Sequence, residues 1–402
     1  SKVNLYCTLT LADGVTKVVI TPESNGNIIT TAEYQVSKIE YYTANASAAA
    51  FNATGVTYDT PVQAKPVVDY LAKGASATLA SGATLAFGGN IAFVTSRFVN
   101  NAGAYALTPG AAGTWRIWSA NADPFNVTTG DVTGGLLYNY KQYNLAYTSA
   151  ATGLLGTGNG LIYTYAPNLT VSLINTIRKT YDGLTTATNL TSANYALAGV
   201  VGGDAVTFAG TMPTSGTYAS KNVGTGISVS VSGITLANFT ATNRSGAATV
   251  YGYGLPSSTA SGAIGTITAA SLTVTANAAS KSYNGLAYSG GNGVAYSGFV
   301  NSETSTVLGG TLAYSGTSQG AVNAGSYAIT PGGLTSSNYL INFVAGTLTV
   351  SPVALTVTAN AASKTYDGLA YSGGNGVSYS GFVNAEAASV LGGALTYGGS
   401  SR

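Results

Sequence analysis

The chain is dominated by short runs in which apolar and polar residues alternate. SLTVTA (271–276), GTLTVS (346–351), ALTVTAN (354–360) and GISVSVSGITL (226–236) each have a period of two and carry β-branched residues. Gly, Asn, Ser or Pro bounds them. That period sends successive side chains to opposite faces of a strand. Apolar spacing at i, i+3 and i+4 is nearly absent. VQAKPVVDYLAKG (62–74) is the best helical stretch, with Pro66 suited to a first turn and Gly74 to a stop. The expected fold class is all-β.

The alternating runs belong to a repeat. Residues 272–316 and 355–399 differ at ten of forty-five positions and lie 83 residues apart. A more distant copy starts near Val171, where RKTYDGL (178–184) matches SKSYNGL (280–286) and SKTYDGL (363–369). Later landmarks recur in order: VTFAG (206–210) beside VAYSG (294–298), and ANFTAT (237–242) beside SNYLINF (337–343). A unit of roughly 80–100 residues with about seven short strands has the size of an immunoglobulin-like sandwich. Only Ala269-Ala270-Ser271 and Pro352-Val353-Ala354 separate one unit from the next, and Pro352 fixes φ at its joint. The pattern predicts tandem immunoglobulin-like β-sandwich repeats forming an extended rod, preceded by a β-rich region. The expected boundaries are 1–85 (β-rich, fold open), 86–170 (aromatic-rich β), 171–270, 271–353, and 354–402 as an incomplete repeat.

Each unit opens on the same triplet: Tyr181-Asp182-Gly183, Tyr283-Asn284-Gly285 and Tyr366-Asp367-Gly368. Asp or Asn before Gly marks a tight turn needing positive φ, with the Tyr ring packed beside it and its hydroxyl able to reach backbone. A calcium ligand set would need several carboxylates, and Asn284 replaces Asp in one copy. The triplets therefore read as structural turns. Before the repeats, residues 86–170 are rich in aromatics and hold both tryptophans, Trp115 and Trp118. At i and i+3 of a strand the two face opposite sides. One is expected in the core; an exposed partner is a candidate contact for sugar or protein.

Composition narrows the functions. Charged residues make up 7% of the chain and the net charge is +2, with the charges scattered. No basic patch suggests a nucleic-acid partner. Tyr, Phe and aliphatic residues are plentiful enough for packed cores, which argues against disorder. No run of about 18 apolar residues predicts a membrane helix. The opening SKVNLYCTLTLADG has neither the basic nor the apolar region of a signal peptide. There is no His, which removes Ser-His-Asp and Cys-His catalysis and His metal ligands. The single Cys, Cys7, excludes an intrachain disulfide and a Cys-based zinc site. It reads as a small buried residue in a strand, with a thiol linking two chains as the other reading. The thirteen acidic residues give no carboxylate pair with glycosidase spacing. No cofactor, metal or enzymatic activity is expected.

Three groups of motifs resemble known families. KTYDGL (179–184), NYALAGVVGGDAVTFAGT (194–211) and YASKNVGTGISVSVSGITL (218–236) resemble the YDG domain. TYDG (365–368), GVSYSGFVN (376–384), NAGSYAITP (323–331) and SSNYLINFVAGTLTVSP (336–352) resemble the MBG type of bacterial immunoglobulin-like repeat. FVNNAGAYALTPGAAGTWRIWS (98–119), GGLLYNYKQYN (134–144) and GTGNGLIYTYAPNLTVS (156–172) are similar to the segment before such repeats in filamentous-haemagglutinin-like adhesins. That resemblance implies export through an outer-membrane two-partner-secretion transporter and an extracellular place on the surface of a Gram-negative bacterium. It also implies adhesion, aggregation or biofilm formation, with contact to host or neighbouring-cell surfaces or to matrix polysaccharide. The family's secretion domain is not visible; residues 1–85 are either the last coils of its β-helix or something else. The expected function is a non-catalytic stalk segment of such an adhesin. The alternative is a self-associating filament subunit, its incomplete last repeat completed by a neighbouring chain's strand.

Overall fold

The computed structural model describes residues 70–400, apart from 80, 87–88 and 150–151, together with three short strands nearer the start. The chain is all-β. Contacts divide it into two compact units: residues 1–175, 187–217 and 228–263 in one, and 176–186, 218–227 and 264–402 in the other.

In the first unit β1 (Cys7–Thr10) and β2 (Lys17–Ile20) form an antiparallel hairpin, and β3 (Ala32–Val36) lies antiparallel to β4 (Tyr70–Gly74). The chain then coils. β4, β5 (Ala77–Leu79) and β6 (Leu85–Ala86) pair in parallel with β7 (Ile91–Thr95), β8 (Phe98–Asn100) and β9 (Leu107–Thr108). Tyr70 faces Ile91, Ala77 faces Phe98 and Leu85 faces Leu107, so one coil takes 21 or 22 residues. Three short parallel sheets repeating around one axis make a parallel β-helix. β10 (Trp115–Ser119) stacks on β7, β12 (Gly160–Tyr163) on β10, and β11 (Tyr140–Gln142) beyond β12, out of chain order. Asn100 holds one corner: its amide nitrogen donates to Gly103 O (2.8 Å) and Thr133 O (3.0 Å), and its Oδ1 accepts from Ala102 N.

Two readings meet the structure here. β-helix coils run through the described part of residues 70–163, which includes the end of the segment 1–85 whose fold the sequence leaves open. Residues 70–74, the end of the helical stretch at 62–74, form strand β4; residues 62–69 lie outside the described residues. Pairing to β3 and β7 overrides the weak helical spacing, because tertiary context decides short segments.

The next repeat begins with β13 (Thr170–Leu173) and, after Asn175 at φ 60°, β14 (Ile177–Thr180). Then come β15 (Thr186–Ala187), β16 (Tyr195–Ala198), β17 (Asp204–Phe208), β18 (Gly216–Tyr218), β19 (Gly224–Ser232), β20 (Phe239–Asn243), β21 (Thr249–Tyr251) and β22 (Thr259–Thr268). β13 pairs with β16, and β14 runs parallel to β22. β17 pairs with β20, β20 with β21, and β21 in parallel with β11, so these strands extend the β-helix sheet of the first unit.

In the second unit β23 (Ala270–Ala276) lies between β25 (Val294–Ser297) and β28 (Tyr339–Val344). β24 (Ala279–Ser282) crosses to a second sheet of order β24-β29-β27-β26, built from β26 (Gly309–Ser315), β27 (Gly325–Thr335) and β29 (Gly346–Ser351). Leu272 and Val274 of the first sheet and Ile329 and Leu348 of the second are fully buried. Each such side chain contributes about 1.5–3 kcal/mol. The near-copy that follows supplies β30 (Thr356–Ala359) antiparallel to β31 (Val377–Ser380).

Candidate functional site

Trp115 is 3% exposed and Trp118 is 4% exposed, so neither ring is available to a ligand. Trp115 points into the coil with Ile91, Ile117 and Leu161. Trp118 takes the opposite face, as the spacing requires. That face is covered too: Trp118, Tyr140 and Ile162 pack under Leu145, Tyr147 and Leu154 of the loop after β11. A shallow cleft of about 150 Å³ beside Trp118 and Thr95 is mainly apolar. The same unit buries one ion pair. Lys141 Nζ of β11 lies 2.5 Å from Asp204 Oδ1 of β17, with side-chain exposures of 3% and 0%. Asp204 Oδ2 accepts from Tyr143 OH (2.7 Å) and Tyr253 OH (2.8 Å). Burial and the neighbouring carboxylate push both phenols up.

The three Tyr-Asx-Gly triplets form the same turn. Lys179 Nζ reaches Leu184 O (2.6 Å), Lys281 Nζ reaches Leu286 O (2.6 Å), and Lys364 Nζ reaches Leu369 O (2.6 Å). The Asx oxygen accepts the amide two residues on: Leu184 N to Asp182 (2.9 Å), Leu286 N to Asn284 (3.1 Å), Leu369 N to Asp367 (2.9 Å). Gly183, Gly285 and Gly368 have φ of 75°, 69° and 72°, the left-handed region that glycine enters without strain. Lys179 and Lys364 also pair with Asp182 and Asp367, and hold both carboxyls below the usual range together with backbone amides.

The turns differ in what sits on them. Tyr181 is 3% exposed, and its hydroxyl donates to Glu303 Oε1 at 2.7 Å. Tyr339 OH donates to Glu303 Oε2 at 2.6 Å, and Lys221 Nζ lies 3.6 Å from Oε1. The Tyr181 and Tyr339 rings meet edge to face at 5.4 Å. A Cβ on Gly183 would lie 2.8 Å from the Asn301 Cβ, so the backbone of one repeat fits against the Asn of the next. Asn301 and Ser302 take φ of 50° and 59°, which turns Glu303 back towards Tyr181. Burial and the Glu303 carboxylate push the Tyr181 phenol up to about 12.

Residues 165–249 match the YDG domain, and residues 272–349 match the MBG domain (YGX type). The chain carries a YDG domain followed by an MBG domain. No curated protein and no solved structure matches the chain. Domains of these two kinds occur in surface or secreted proteins.

The same interlock recurs one repeat later. Tyr283 of the MBG domain donates to Glu386 Oε1 of its near-copy, and Asn384 Nδ2 donates to Gly285 O at 3.1 Å. A Cβ on Gly285 would lie 2.7 Å from the Asn384 Cβ. The loop again has two left-handed residues, Asn384 (φ 51°) and Ala385 (φ 57°). The Phe-Val-Asn-x-Glu loop of one repeat thus sits on the Tyr-Asx-Gly turn of the repeat before it. Reading the turns alone misses this loop. A signal for it exists: between the copies, Ser302, Thr304, Ser305 and Thr306 all change while Asn301 and Glu303 stay. In a chain this poor in charge, a retained carboxylate is informative. Among the described residues no group of three or more Cys, Asp or Glu is placed to hold a metal.

Proposed function

We propose that these residues are a non-catalytic, load-transmitting segment of a large bacterial surface adhesin. The observation that carries this reading is the recurring interlock, in which each repeat seats an Asn-x-Glu loop on its predecessor. A joint of that kind orients a module relative to the next without any chemistry on a substrate. In this reading the chain leaves a Gram-negative cell through an outer-membrane two-partner-secretion transporter. It then displays more distal parts towards host or neighbouring-cell surfaces or matrix polysaccharide, in adhesion, aggregation or biofilm formation. Absence of His and scarcity of charged residues suit such a role. The test is protease shaving of intact cells, followed by peptide identification and negative-stain imaging of the released material. Peptides from residues 70–402 are expected from whole cells, with extended particles in the images. Release only after lysis overturns the surface assignment.

A further inference from the structure

Lys141 and Asp204 bring a primary amine against a carboxyl group in a site that is closed to solvent. Nζ lies 2.5 Å from Oδ1, with side-chain exposures of 3% and 0%. The rings of Phe125, Tyr138 and Tyr143 stand 5.5–5.9 Å from Nζ. Gly202 O accepts from Nζ at 3.3 Å and helps to hold it in place. The other carboxyl oxygen has separate partners: Oδ2 accepts from Tyr143 OH at 2.7 Å and from Tyr253 OH at 2.8 Å. Burial and the Asp204 carboxylate raise both phenols, so they stay protonated and donating. Arg would suit a purely structural buried pair better, because its planar fork binds a carboxylate twice and keeps its proton. Lys is the cation that can give its proton up when buried, and it then becomes a nucleophile.

We propose that Lys141 and Asp204 condense into an intramolecular amide between Nζ and Cγ, a self-modification that ties β11 to β17. The step balances without a co-reactant. One proton passes from the Nζ ammonium to Oδ1, giving a neutral amine and a neutral acid; a dry site favours neutral groups over charged ones. The Nζ lone pair then attacks Cγ. Negative charge collects on Oδ2, where the two phenols act as an oxyanion hole. A second proton moves from Nζ to Oδ1, the Cγ–Oδ1 bond breaks, and Oδ1 leaves as water. Ammonium plus carboxylate has become amide plus water, with nothing oxidised or reduced. Holding the two groups in contact stands in for an effective concentration of about 10⁵–10⁸ M. Hydrolysis would need water to return to an aromatic-walled site. The bond joins residues 63 apart in the chain and makes the joint between the β-helix and the YDG domain permanent. That suits a load-transmitting segment, but the inference rests on the geometry and not on that role.

Mass spectrometry of the purified, folded chain is the test. The intact mass is expected to fall short of the sequence mass by one water. Tryptic digestion is expected to leave one branched peptide that joins residues 117–178 to residues 180–221 and is uncut at Lys141. Lys141→Arg keeps the positive charge but cannot condense, so it should restore the sequence mass and cleavage after residue 141. Tyr143→Phe combined with Tyr253→Phe keeps both reacting groups and removes the donors to Oδ2. That should slow condensation by at least about a hundredfold, so freshly purified variant carries less of the branched peptide and gains it on incubation. An unaltered chain that unfolds cooperatively yet has the full sequence mass and is cut at Lys141 overturns the proposal. So does a missing water that maps to a different peptide, such as an imide at Asp182-Gly183.

Discussion

The chain joins neighbouring modules by two different chemistries. Inside the first unit, YDG strands β17, β20 and β21 continue the β-helix sheet, and the pair Lys141–Asp204 is sealed with side-chain exposures of 3% and 0%. Inside the second unit, repeats meet through Tyr181–Glu303 and Tyr283–Glu386, with the flanking Lys221 48% exposed. The first joint is part of a core and cannot open without exposing an ion pair and an aromatic cluster. The second is a small polar contact, which can open while the MBG domain keeps its own core of Leu272, Val274, Ile329 and Leu348. One joint fixes a fold; the other sets the angle between folded pieces.

The largest effect is expected at the sealed joint. Lys141→Met leaves Asp204 charged and buried, and breaking one partner of such a pair costs about 3–5 kcal/mol. Urea unfolding of the first unit should show that loss. Lys141→Met combined with Asp204→Leu should recover much of it, because the two side chains then bury no charge. A single variant that unfolds like the parent would show that the pair is not held dry.

Next in size is the first interlock. Tyr181→Phe keeps the ring contact with Tyr339 and removes the hydroxyl. The loss should be about 1.5 kcal/mol, the low end for a hydrogen bond to a charged group, because Tyr339 and Lys221 still hold Glu303. Hydrogen exchange should rise at residues 299–305 and stay unchanged in β27 and β29. Tyr283→Phe should shift exchange at 382–388 in the same way but less, since among the described residues no Lys or Arg pairs with Glu386 as Lys221 does with Glu303. Tyr366→Phe should change neither.

These comparisons also show what the sequence could and could not reveal. Period-two runs such as SLTVTA and GTLTVS became β23 and β29, and Asp or Asn before Gly became a left-handed turn, because both signals are local. The β-helix was hidden for a physical reason. Its strands are two to five residues long, and their partners lie a whole coil away, with β12 stacked before β11. No local window contains that register. That both Trp115 and Trp118 are covered was not legible for a related reason: a strand in a coil normally shows one face to solvent, but here the loop carrying Leu145 and Tyr147 covers Trp118. The partner of Tyr181 stands 122 residues away, so a turn could be recognised while its occupant could not.

A glycine pair sharpens the contrast between an occupied and an open turn. Gly285→Ala and Gly368→Ala both place Ala in the left-handed region, at φ of 69° and 72°, a strain of about 1–2 kcal/mol each. Only the first also drives a Cβ towards Asn384, 2.7 Å away. The difference between the two variants in urea midpoint therefore isolates the interlock from the turn. Equal shifts would mean that Asn384 contributes nothing.

The smallest effect is expected from pH. Hydrogen bonds from Tyr339 and Tyr181, and the Lys221 charge, hold the Glu303 carboxyl below its ordinary 4.5. A carboxylate with a depressed folded pKa stabilises above its unfolded value and loses that stability as pH falls through the folded one. The first interlock should therefore be intact at neutral pH and loosen progressively below pH 4.5. At the alkaline end the sign reverses. Tyr181, raised to about 12, contributes fully below its ordinary 10 and loses its contribution as pH climbs through 12. Glu303→Gln should flatten the acid limb of stability against pH while leaving the Lys141–Asp204 joint as it was. A Gln variant that keeps the full acid dependence would place the titrating group elsewhere, and the second joint would then be held by packing of Asn301 on Gly183 rather than by the carboxylate.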